Sequence, residues 1–165
     1  MKLNIRTVSL LGLFIALSGA GGILKIPSII GSIALDSFPA LIAAVLLGPW
    51  AGAIAGGLGH LLSALMASMP LGPFHFLIML EMAVLIWLFG YLYRAGKAFA
   101  ASLLFFAGNG FILSVPFIYI ISMSFYAALL PGMLAATVIN LLLALILLPR
   151  LKPIFGKLEN GGMKE

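Results

Sequence analysis

Six side chains in this sequence can do chemistry in surroundings that otherwise offer none: Asp36, His60, His75, Glu81, Asn109 and Asn140. They are spread over five apolar stretches, and their spacing is regular in depth. His60 lies halfway between Trp50 and Pro70. Glu81 is close to the centre of the run from Phe74 to Tyr93. Asn109 and Asn140 stand mid-way along two further runs. A charged residue at the centre of a bilayer costs at least ~3 kcal/mol, so such residues turn toward a bundle interior. The spacing therefore predicts a polar layer at one level, the floor of a binding cavity, with His75 nearer its outer mouth. Ser63 and Thr137, each three residues from a member of the layer, extend it along helix faces. Phe74 and Glu81, seven residues apart, share a face and would set an aromatic wall above a carboxylate. The alternative is an interhelical hydrogen-bond network that only fixes packing, and for the asparagines both readings stay open.

Several chemistries fit poorly. Asp36, His60, His75 and Glu81 are acceptable metal ligands. None of them pairs at i, i+3 or i, i+4, and there is no cysteine, so neither a metal nor a cofactor is expected. No GxSxG elbow is present. The stretch GYLYRAGKA, residues 90–98, mimics a phosphate loop, but its glycines have five residues between them instead of four and Ala98 replaces the Ser or Thr. It reads as a cytoplasmic turn, and a transporter built on this chain would lack its own ATPase. Two further classes remain open: an intramembrane enzyme with Glu81 and His60 as acid and base, and a structural subunit whose polar layer is glue.

The elements that must position these groups are membrane helices. Of 165 residues, 64% are hydrophobic and 8% charged, against about 25% charged in soluble domains. Six apolar segments follow, at about Val8–Leu24, Ile33–Leu47, Ala51–Met69, Phe74–Tyr93, Ala98–Ile118 and Leu130–Leu148. The expected fold is an all-α integral membrane protein, a compact bundle of six transmembrane helices forming one domain over 1–165. A short disordered tail is expected from about residue 158. No cleavable signal peptide is apparent. With the N-terminus in the cytoplasm, Lys2, Arg6, Arg94, Lys97, Arg150, Lys152, Lys157 and Lys164 all fall inside, and only Lys25 falls outside. That asymmetry sets both termini in the cytoplasm, and it makes the net charge of +5 a topology signal and not a nucleic-acid footprint. Residues 119–129 are ambiguous between an extension of the fifth helix, an outer loop and a surface helix.

The second segment is unusual. Proline suits the first turn of a helix and disrupts its interior. If Pro39 sits in the first turn, Asp36 and Ser37 fall at the cap, and the helix to Gly48 spans only ~15 Å, about half a membrane. The chain from Lys25 to Ser37 would then dip inward as irregular backbone, tolerated only where protein buries it or it lines a cavity. The competing reading is a full-length helix kinked at Pro39, with Asp36 among head groups.

Glycines 48, 52 and 56, and alanines 16 and 20, follow small-xxx-small spacing, which on its own indicates ordinary close packing. Taken with IALDSFPALIAAVLLGPWAG at 33–52, GLGHLLSAL at 57–65, PLGPFHFLIMLEMA at 70–83 and LLPGML at 129–134, the chain resembles the substrate-binding S components of energy-coupling factor (ECF) transporters. The likeness extends over nearly the whole chain. It implies a multi-pass protein of a prokaryotic plasma membrane that binds a vitamin or precursor in the outer half of the bundle. It also implies partners: the lipid bilayer, a transmembrane coupling subunit docked on the face of Ala16 and Ala20, and two cytoplasmic ATPases, with no nucleic acid.

Within that family the biotin branch looks similar around PGDLIK, but Met133 and Ala136 stand here at its Asp and Lys positions. A biotin carboxylate would lose its cationic partner. A metal-type S component would need an N-terminal histidine motif, which MKLNIRT lacks. The stretches around Asp36, GHLLSAL and His75–Glu81 resemble the α-ribazole branch, whose ligand is a benzimidazole joined to ribose. Asp36, Glu81 and Asn109 would bond ribose hydroxyls, and Phe74, Phe117 or Tyr119 would stack on the ring. S components for riboflavin, thiamine or pantothenate are the alternatives.

Overall fold

A computed structural model of the chain describes residues 5–27 and 32–161. Helix α1 runs Ile5–Gly21. A small antiparallel hairpin follows, β1 Lys25–Pro27 against β2 Ser32–Ala34, with Lys25 opposite Ala34. Then come α2 Ser37–Leu46, α3 Pro49–Met66, α4 Phe74–Arg94 and α5 Ala98–Gly110. A 3-10 turn at Ile112–Ser114 leads to α6 Pro116–Ile120, and α7 runs Met123–Gly161.

Proline and glycine set most of these boundaries. Pro49 and Pro116 open α3 and α6 at the position where a missing N–H costs nothing. Gly96, at φ 80°, ends the turn after α4 in the left-handed region, so the 90–98 stretch is the end of a helix and a turn. The expected Ala98–Ile118 segment is present but broken after Gly110. The sixth starts earlier than expected: the ambiguous residues divide between the end of α6 and the first turns of α7. Pro131, Pro149 and Pro153 all lie inside α7. Its last described residue is Gly161, and residues 162–165 of the expected tail lie outside the described residues.

The second segment is the short helix. At 10 residues α2 is ~15 Å long, and it begins at Ser37 with Asp36 as the preceding residue, not as a long helix kinked at Pro39. The chain before it is not wholly irregular, because β1 and β2 pair there. Residues 40–45 of α2 are all buried, so this helix is the axle of the bundle, with α1, α3, α4 and α7 packed around it. Small residues permit the close approach. A side chain at Gly52 would collide with the backbone and methyl of Ala44, and a Cβ at Gly90 would come within 2.8 Å of the same methyl.

Large apolar side chains such as Val84, Leu103, Leu142 and Ile146 face outward, the reverse of a soluble surface. Three helical stretches are long and apolar enough to cross a membrane: Phe74–Arg94, Ala98–Ile120 across the 3-10 turn, and Met123–Gly156. The apolar helices α1 and α2 are shorter. At one end of the bundle Lys152 lies over the ring of Tyr93, 4.9 Å from its centroid, beside Arg94. The basic turn after α4 and the basic end of α7 are therefore neighbours. α4 starts at the opposite end, and the polar residues gather there.

Candidate functional site

The start of α2 organises the site. A helix N-terminus has N–H groups without intrahelical partners, and an aspartate at the cap position would ordinarily accept from them. Asp36 does not. Asn140, reaching across from α7, does so instead: its Oδ1 accepts from the N–H of Ser37 at 3.0 Å and of Phe38 at 2.8 Å. The Asn140 Nδ2 donates back along its own helix to the carbonyl of Ala136. The Asp36 carboxylate is thereby released from capping and turned sideways. Its Oδ1 accepts from the Ser37 hydroxyl at 3.1 Å, and its Oδ2 faces Nδ1 of His60 at 3.2 Å.

A line of side chains continues from there. Nε2 of His60 is 3.2 Å from Nδ1 of His75, and the backbone N–H of Leu71 donates to Nε2 of His75 at 3.3 Å. That last bond fixes the direction of the whole chain. With His75 Nε2 accepting, its proton sits on Nδ1 and is donated to His60 Nε2, and the His60 proton sits on Nδ1 and is donated to Asp36. Three bonds thus run in one direction, from a backbone amide through two imidazoles to Asp36, whose other oxygen accepts from Ser37. His60's nitrogens point to different partners, so the three side chains form a line, not a common coordination point. Among the described residues no group of three or more His, Cys, Asp or Glu is arranged to hold a metal.

This line borders a cavity of about 360 Å³, within the range of small-molecule sites. Every helix but α1 contributes to it. Asp36 and Ser37 come from the start of α2, His60 and Ser63 from α3, and His75, Ile78 and Met82 from α4. Asn109 and Ser114 come from α5 and the 3-10 turn, Phe117 from α6, and Phe125, Met133, Ala136 and Asn140 from α7. The loop between α3 and α4 adds Pro70 and Leu71. In that loop Ser68 and Met69 both take positive φ, 63° and 47°, a conformation uncommon for side-chain-bearing residues and concentrated at functional segments. Asn109 donates to Thr137 at 2.7 Å, and Thr137 donates to the carbonyl of Met133. Among the described residues the Oδ1 of Asn109 accepts no hydrogen bond.

Five of the six side chains singled out in the sequence therefore meet: Asp36, His60, His75, Asn109 and Asn140. Glu81, expected in the same floor, is not among the residues that line the cavity. The cavity face of α4 is carried by His75, Ile78 and Met82, and residue 81 is turned about 100° from Met82. Glu81 is half-buried beside the cavity wall, and its Oε2 has no partner among the described residues. The expected aromatic wall also moves. Phe74 packs edge-on behind Phe117 at 6.1 Å and does not reach the cavity, while Tyr119 is 86% exposed. Phe117 lines the cavity with Phe125, their rings 6.2 Å apart. Phe125 and Ser114 were missed. The flanking Gly110 and Pro116 were the available sign that the fifth segment breaks and turns Ser114 inward. On α1, Ala16 and Ala20 lie exposed on the outer face with Gly12.

A family model described as ECF transporter, substrate-specific component, matches residues 6–158. The chain belongs to this family. No curated protein matches the chain significantly. S components bind small-molecule substrates and associate with ECF membrane and ATPase modules. The chain is therefore a transport subunit and not an enzyme, and acid–base catalysis by Glu81 and His60 has no part in its description. In this S component the site to account for is the α2 cavity, where a buried carboxylate is held by hydrogen bonds and not consumed in capping its own helix.

Proposed function

We propose that this S component captures α-ribazole, a benzimidazole riboside, for uptake through an ECF importer in the plasma membrane of a prokaryote. In this reading the bundle crosses the bilayer six times with both termini in the cytoplasm, and the cavity lies in the outer half. Support for the sidedness comes from the basic cluster at the end opposite the cavity, around Arg94 and Lys152.

The observation that carries the ligand assignment is the pairing of two kinds of wall in one cavity. Asp36 and the Oδ1 of Asn109 are acceptors suited to ribose hydroxyls, while Phe117 and Phe125 are flat apolar surfaces suited to an aromatic ring. His60 and His75 hold Asp36 in place, and Asn140 holds the helix that carries it. The absence of a cation at Met133 and Ala136, both on the cavity wall, argues against biotin.

Ala16 and Ala20 are the proposed docking face for the coupling subunit. They lie outside the cavity, so the two roles are separable. The test is the melting temperature of the purified chain with α-ribazole, biotin, riboflavin, thiamine, folate and pantothenate, followed by uptake in cells. Stabilisation by α-ribazole alone is expected. Ala16→Trp should keep that stabilisation and abolish uptake. Stabilisation by a different vitamin alone would remove the substrate assignment and leave the S component. Equal loss of binding and uptake in Ala16→Trp would remove the separation of roles.

A further inference from the structure

Resting on the reading of this cavity as the ligand site of the S component, we infer that it accepts a neutral or cationic ligand rich in hydrogen-bond donors and excludes the phosphorylated or carboxylated form of the same ligand. The inference comes from an inventory of what the wall can offer.

An anion removed from water needs a cationic side chain or a convergent set of N–H donors. Among the residues whose side chains are described, a set that leaves out Lys25, no lysine or arginine lines the cavity. The other usual device is the start of a helix, where free N–H groups hold phosphates and carboxylates. Here α2 begins at the cavity, and its first three residues have no N–H left to give. The N–H groups of Ser37 and Phe38 both donate to Asn140, and the third residue, Pro39, has no N–H to give. The histidines are spent as well. Each ring N–H is committed along the line to Asp36, and the free end of that line is tied to Leu71.

What remains facing the cavity is mostly acceptor. Asp36 keeps lone pairs beyond those used by Ser37 and His60, and Asn109 keeps its Oδ1. Ser63 and Ser114 add hydroxyls that can serve either way. Each asparagine keeps one amide N–H, and two neutral donors do not offset the burial of a charge. A phosphate would meet the Asp36 carboxylate with nothing between them to neutralise either. A ribose hydroxyl or a ring N–H would instead find the acceptors it requires. The Asn140 cap and Pro39 act together as an anion filter: they close the one anion site that the fold would otherwise create.

The test is calorimetric titration of the purified chain with a matched pair, the benzimidazole riboside and its 5′-phosphate, alongside thiamine, biotin and pantothenate. The riboside is expected to bind at least ~100-fold more tightly than its phosphate, as burial of an unpaired charge requires. Asn140→Ala, which frees two N–H groups at the start of α2, and Ala136→Lys, which adds a cation to the wall, should each narrow that ratio. Equal affinity for riboside and phosphate overturns the filter while leaving the α-ribazole assignment standing. Binding of thiamine but not of riboside, biotin or pantothenate removes α-ribazole and leaves the filter standing. Tightest binding by biotin or pantothenate overturns the filter and leaves only the family.

Discussion

The two ends of α2, a helix of only 10 residues, are built on opposite principles. At the C-terminal end Ala43, Ala44 and Val45 are sealed among Gly52, Gly90 and Phe89, and Phe89 packs on Phe105 with ring centroids 6.1 Å apart. Contact there is dry and close, and the last turn is tied off by Arg94 donating to the carbonyl of Val45 at 2.8 Å. At the N-terminal end the same helix opens on a cavity, and its polar groups are satisfied by side chains from distant segments. One end holds the bundle together by shape. The other is held by hydrogen bonds, and this leaves room for a ligand. A short helix in the centre of a bundle can do both, because its two ends meet different neighbours.

The contrast can be broken at either end. The largest effect belongs to the dry end. Gly52→Leu should cost about 3 kcal/mol or more, because the clash is with the backbone of Ala44, which cannot yield as a side chain tip does. Thermal unfolding in detergent would read this, and no ligand should restore the wild-type melting point. Asp36→Asn belongs to the open end and should lower affinity for the riboside by ~100-fold while costing only about 1 kcal/mol of stability, since the amide keeps the shape. Loss of fold in place of loss of affinity would mean that the open end is structural too. Asn140→Ala should cost about 1–2 kcal/mol, the usual effect of a lost cap. The smallest effect is expected for Arg94→Ala, about 0.5–1 kcal/mol for a cation near a helix C-terminus, with ligand affinity unchanged.

Much of this was legible in residue types alone. The placement of Pro39 three residues after Asp36 pointed to the start of α2, because a proline is favoured in the first turn of a helix. The mid-segment positions of His60, Asn109 and Asn140 pointed to a shared site, and all three line one cavity. What was not legible depended on rotation and on distance. Helix α4 is apolar nearly all round, so its sequence does not say which face turns inward, and Glu81 falls outside the cavity lining. Phe125 was overlooked because it lies in the stretch 119–129, whose sequence fits a helix, a loop or a surface helix equally, whereas α7 runs through it from Met123. The capping of α2 by Asn140 joins residues more than a hundred positions apart, and no local pattern announces such a contact. The family match covers the chain from 6 to 158 and gives its class, while the residues around Asp36 carry the argument about the ligand.

The most direct measurement is titration of α-ribazole into the purified chain and into Asp36→Asn, with melting temperatures taken on the same samples. At about a hundred times its dissociation constant the ligand should stabilise the wild-type chain by ~2.7 kcal/mol and leave the variant unmoved, although both are folded. Equal stabilisation of the two proteins would contradict the central role of Asp36 and move the binding site away from the start of α2.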